Sequence, residues 1–89
     1  MDIIWDKNKN DHLIITRNIS FEEISEKIIN EEYIDIIENP VRENQQYFVM
    51  SINDYIWLVP FIIDEDDNII LKTAFPSRKF NKKYGGKNE

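Results

Sequence analysis

Residues 47–63 read Tyr47-Phe48-Val49-Met50-Ser51-Ile52-Asn53-Asp54-Tyr55-Ile56-Trp57-Leu58-Val59-Pro60-Phe61-Ile62-Ile63. Aromatic and β-branched residues fill two runs, Tyr47–Ile52 and Ile56–Ile63, which are the residue types that suit a pleated surface. Asn53-Asp54 between them suits a tight hairpin turn, so the two runs are predicted to pair antiparallel. Pro60 cannot donate to a ladder, and the second strand therefore needs an edge, a bulge or one-sided pairing at that point. Upstream, Tyr33–Glu38 alternates enough for another strand, Asn39-Pro40 stops it, and Val41–Gln45 is a polar loop. Downstream, Asp64-Glu65-Asp66-Asp67-Asn68 is a second hairpin loop, Ile69–Phe75 is the last strand, and Pro76 ends it.

The period changes from two to 3.6 on the N-terminal side. Ser20-Phe21-Glu22-Glu23 has the form of a capping box: Ser20 can accept from the Glu23 N–H, and Glu23 can reach back to Ser20. Ile19 and Ile24 are spaced as a hydrophobic staple, and Phe21, Ile24 and Ile28 form the core stripe of a helix over about residues 20–31. Before it, Asp6 can cap a helix over Lys7–Arg17, with Leu13 and Ile14 as its buried stripe and Asn18 as its left-handed end. Asp2–Asp6 reads as a first strand or extended lead-in, and Ser77 can cap a final basic helix or turn over about 78–84 before Gly85-Gly86. The predicted order is β-α-α-β-β-β-β-α. That is one α+β domain over residues 1–89, an antiparallel meander of about four to five strands with two N-terminal helices and a short basic C-terminal one.

Eighty-nine residues, 42% of them apolar, fit one domain with a modest core. A chain this short buries only about 60–65% of its unfolded surface, so a partner or self-association would help it. The absence of cysteine excludes a disulfide scaffold, a thiolate nucleophile and cysteine-based zinc. No apolar run approaches the roughly 20 residues of a membrane span. The N-terminus lacks the pattern of an export signal, so a cytoplasmic location is the expectation. Asp64, Asp66 and Asn68 alternate as calcium ligands do, but Ile69 and Phe75 stand where that loop needs Gly and Glu, and the run is read as a solvated hairpin tip. No metal and no cofactor is expected. The single histidine, His12, cannot build a zinc site and is a candidate for proton transfer.

The charges are segregated. Residues 1–71 carry 5 basic and 16 acidic side chains, whereas Lys72, Arg78, Lys79, Lys82, Lys83 and Lys87 follow with no acid before Glu89. Lys79, Lys82 and Lys83 share one helical face, and Phe80 and Tyr84 a neighbouring one. Cations interleaved with aromatics suit single-stranded RNA, which is held by phosphate pairing and base stacking.

These residues converge on a family. Trp5-Asp6, Lys9-Asn10, Leu13 and Ile19-Ser20-Phe21-Glu22-Glu23 resemble the opening of the BrnT family of bacterial toxins, and Pro76-Ser77-Arg78-Lys79 with Lys82, Lys83 and Tyr84 is similar to its close. The chain departs from the family's pattern in having Arg17 where a histidine often stands, Asn18 in place of a glycine, no alanine after Ser77, and an acidic net charge. The resemblance implies a RelE-like fold and a type II toxin, a metal-independent ribonuclease that cleaves cellular RNA and inhibits translation. It also implies a cognate BrnA-like antitoxin of the ribbon-helix-helix, DNA-binding kind, with DNA reached only through that partner. On this reading Arg17, Lys72, Arg78 and Lys79 are expected at the phosphate and the transition state. Lys82, Lys83 and Tyr84 are expected to hold the RNA, and His12 to move a proton. The rival reading is a non-enzymatic module on the same fold whose acidic surface docks on a basic partner. The two differ in whether cations from both ends of the chain meet in one concave site.

Overall fold

Asn53 and Asp54 both adopt left-handed backbone, with φ of 53° and 66°, and fold strand β3 (Gln46–Ile52) against β4 (Tyr55–Ile63). Two successive positive φ values match the right-handed twist of the flanking strands, and Asn and Asp tolerate them. A computed structural model of the chain describes residues 1–85, so Gly86 and Lys87 of the basic segment lie outside the described residues. Strand β2 (Asp35–Glu38) pairs antiparallel with β3, two residues shorter at its start than the alternation predicts. On the far side β4 pairs antiparallel with β5 (Ile69–Leu71).

The fold expected from the sequence is present, with two corrections to the sheet. The lead-in forms a strand, β1 (Ile3–Ile4), but it pairs parallel with β5, so the sheet is mixed and not wholly antiparallel. Its order is β1-β5-β4-β3-β2. The last predicted strand is broken: residues 72–74 leave the ladder, and β6 (Phe75–Pro76) rejoins β4 opposite Trp57 and Leu58. Pro60 explains the break. Its carbonyl accepts the Lys72 N–H at 2.9 Å, and the N–H it lacks would point to the same side, where the partner strand swings away.

Helix α1 (Lys7–Arg17) starts at Asp6, whose carboxylate accepts the Lys9 N–H at 3.0 Å, and ends at Asn18 with φ of 59°. Of its two predicted stripe residues Leu13 is buried, but Ile14 is 43% exposed. Helix α2 (Phe21–Ile29) is capped by Ser20, which accepts the Glu23 N–H at 3.1 Å. The return bond of the predicted box, from Glu23 to the Ser20 N–H, does not form, and the first turn is also held from α1. Buried Asn10 accepts the Phe21 N–H at 2.7 Å and donates to Glu22 Oε1 at 2.8 Å.

The strands are apolar on both sides, as a sheet covered on both faces must be. Leu13, Phe21, Ile24 and Ile28 pack against Phe48, Met50, Ile52, Val59 and Phe61 on one face. On the other, Val49, Ile56 and Leu58 are covered by Phe75, Phe80 and Tyr84. The last two belong to helix α3 (Arg78–Phe80), capped by Ser77 and prolonged by a wider turn over Asn81–Gly85. Asn81 fixes this segment to the sheet by accepting the Ile56 N–H at 3.1 Å.

Candidate functional site

One cleft gathers cations from three separate parts of the chain. It has a volume of about 960 Å³ and lies where one face of α1, the β2–β3 loop and the 72–74 break face one another. Helix α1 presents Lys9, His12, Leu13, Thr16 and Arg17, which recur at three- and four-residue steps on one face. The Thr16 hydroxyl donates to the His12 carbonyl at 2.7 Å.

The β2–β3 loop contributes Asn39, Arg42 and Gln45. Asn39 organises it: its Oδ1 accepts the Val41 and Arg42 N–H groups at 2.9 and 3.2 Å, and its amide donates to Gln45 Oε1 at 2.7 Å. An Asx turn of this kind fixes the backbone that carries Arg42. The break in the last strand places Lys72 and Thr73 in the wall, and Tyr47, Pro60 and Phe75 complete it. Tyr47 and Phe75 meet edge to face, with ring centroids 6.2 Å apart, and also pack on the second core cluster.

The cleft is basic on an acidic body. Three of the five cations in residues 1–71, namely Lys9, Arg17 and Arg42, line it with Lys72, and no Asp or Glu does. Among the described residues the sole salt bridge is Lys7–Asp11, so none of the four cleft cations is neutralised by a carboxylate. Lys and Arg side chains without acidic partners attract a polyanion, and the surrounding acid limits where it can land.

The predicted site residues divide into two groups. His12, Arg17 and Lys72 come together in the cleft, although 60 positions separate His12 from Lys72. Arg78, Lys79, Lys82, Lys83 and Tyr84 do not line it. They stand on α3 and its continuation, which begins three residues beyond Phe75. Tyr84 packs on the second cluster, stacks on Phe80 at 6.1 Å and directs its hydroxyl to Asp35 at 3.4 Å, while Lys79 and Lys83 lie over the Phe80 and Tyr84 rings. Lys9, Arg42 and Tyr47 were not predicted. The periodicity of α1 contains the signal for Lys9, since it stands three and four residues before His12 and Leu13. Nothing local marks Arg42. Among the described residues no group of three His, Asp or Glu is placed to hold a metal ion.

No family model matches the chain, and no curated protein matches it. Its fold matches the crystal structure of the Brucella abortus ribonuclease toxin BrnT, at a TM-score of 0.66 and 18% sequence identity, over 86% of this chain and 96% of that chain. The chain has the BrnT fold. The likeness is one of architecture. No helix among the described residues is long and apolar enough to cross a membrane.

Proposed function

We propose that the chain is a ribonuclease toxin of the BrnT kind and that the cleft of Lys9, His12, Arg17, Arg42 and Lys72 is where it holds and cleaves RNA. The convergence of unpaired cations in one cleft of an acidic protein carries this reading. It also favours the enzyme over the acidic docking module, because the concavity is basic. In the proposed reaction the 2′-hydroxyl attacks the adjacent phosphorus while the His12 imidazole takes its proton. Arg17 and Lys72 stabilise the charge that develops on the phosphorane oxygens. The P–O5′ bond breaks, the 5′-oxygen takes a proton from a cleft ammonium or water, and the products end in a 2′,3′-cyclic phosphate and a 5′-hydroxyl. Lys9 and Arg42 hold neighbouring phosphates. Arg78, Lys79, Lys82 and Lys83 extend the basic track past Tyr47 and Phe75 to flanking nucleotides. None of these steps uses a metal or cofactor.

On the same reading a DNA-binding antitoxin of the ribbon-helix-helix kind neutralises the toxin, and the setting is cytoplasmic. Expression of the chain alone in bacteria is expected to inhibit translation and arrest growth. Arg17→Ala with Lys72→Ala should relieve the arrest at equal soluble expression, and Arg78→Ala with Lys79→Ala should relieve it in part. Normal growth at high soluble expression of the unmutated chain would reject the proposal.

A further inference from the structure

A second groove lies on the helix-covered face of the sheet and shares no residue with the basic cleft. It has a volume of about 650 Å³. Its floor is a row of apolar side chains that crosses five strands, β1 to β5: Ile36, Phe48, Phe61, Ile63, Ile69 and Ile3. The register puts them on one face, because Ile36 is opposite Phe48, Ile63 opposite Ile69, and Ile69 beside Ile3. Helix α2 walls one side with Ile28 and Ile29, and Phe48, Phe61 and Ile69 at the bottom are buried, but the rim is uncovered. Ile29 is 70% exposed, Ile63 46% and Ile36 40%. In a chain with a core this small, apolar surface of that extent costs stability unless something covers it.

The charges around the groove say what kind of partner would. Asp2 and Glu31 line it, and no Lys or Arg does. The segment that forms its helical wall and its edge strand, residues 21–38, holds seven acids and one base. Five strands set about 4.8 Å apart give a trough about 19 Å long. A helix of about 13 residues spans that distance. We propose that this groove docks an amphipathic helix of a partner protein, with an apolar face laid across the strands and Lys or Arg along its flanks. The mode is helix-in-groove recognition, with anchors at i, i+3/i+4 and i+7. The inference does not depend on the ribonuclease reading, since the two surfaces are separate.

The test uses the full chain and three synthetic peptides of about 14 residues. One has a Leu face and a Lys face, the second replaces Lys by Glu, and the third scrambles the Leu/Lys peptide so that no apolar face forms. Calorimetry should show the Leu/Lys helix binding at least about tenfold more tightly than either control. Ile29→Lys and Ile63→Lys, both at exposed positions, should each weaken it by about tenfold, whereas Arg17→Ala should not. Equal binding of the scrambled peptide, or indifference to both isoleucine changes, would overturn the proposal. So would a wild-type dimer in sedimentation that Ile29→Lys converts to monomer, because the groove would then be covered by a second copy.

Discussion

Asn10 stands in the middle of one helix and serves the start of the next. Its buried amide accepts the Phe21 N–H and donates to Glu22, which fixes α1 to α2 and so fixes the cleft face of α1 over the sheet. Asn10→Ala leaves a buried N–H without a partner and should cost about 2 kcal/mol in chemical denaturation. The caps at Asp6, Asn18 and Ser20 were legible because each acts on its own helix, within a few residues. The role of Asn10 was not, since its partner lies 11 residues on and no local pattern connects them. Asp64 is a second case of local order. The Asn68 backbone N–H holds its carboxyl below the ordinary 3.8, aided by the Asp66 N–H and the Asn68 side chain, with partial desolvation opposing. A carboxyl depressed on folding adds stability above its unfolded pKa, and that stability is lost as pH falls through the folded value. Wild type should therefore exceed Asp64→Ala in stability near neutral pH, and the gap should narrow below about pH 4. Denaturation midpoints of both proteins across that range measure it.

Turns and helix caps made by near neighbours in sequence are legible in it, whereas pairings that depend on a distant strand are not. The β3–β4 hairpin follows from Asn53-Asp54, and both residues carry the positive φ that such a turn demands. Asp54→Gly, which removes the steric cost of that backbone, should raise stability by about 0.5 kcal/mol. Asp54→Val should lower it by about 1–2 kcal/mol, because a β-branched residue is disfavoured there. Thermal unfolding of the two variants gives both signs in one experiment. The apolar lead-in marks β1, but its parallel pairing with β5 is not legible, because the partner is 66 positions away. The interruption at 72–74 is recorded in Pro60, but reading it requires knowing that this stretch of β4 faces the last strand. That interruption is also what turns Lys72 toward the cleft. Predicting the site in full was therefore impossible without the sheet order.

At the scale of the molecule, charge is distributed with a purpose that the net value of −6 conceals. Segregation along the sequence pointed to the C-terminal cations, whereas segregation in space singles out a different set: Lys9, Arg17 and Arg42 from the acidic part, joined by Lys72. The count per segment showed an anion-binding end. It did not show a cleft, because the cleft brings together two cations of α1, one of the β2–β3 loop and one at the end of β5, which lie far apart in sequence. The proposed RNA-cleaving activity rests on this cleft. The most direct measurement is cleavage of a single-stranded RNA by the purified chain in the presence of a chelator, with end-group analysis of the products. Wild type should release fragments ending in a 2′,3′-cyclic phosphate. Arg17→Ala or Lys72→Ala should slow this by about 10²–10³-fold. His12→Ala should slow it by about 10²–10⁴-fold. Lys82→Ala with Lys83→Ala should weaken binding more than turnover. RNA left intact by the wild type, or cleaved equally well by the cleft variants, would contradict the account.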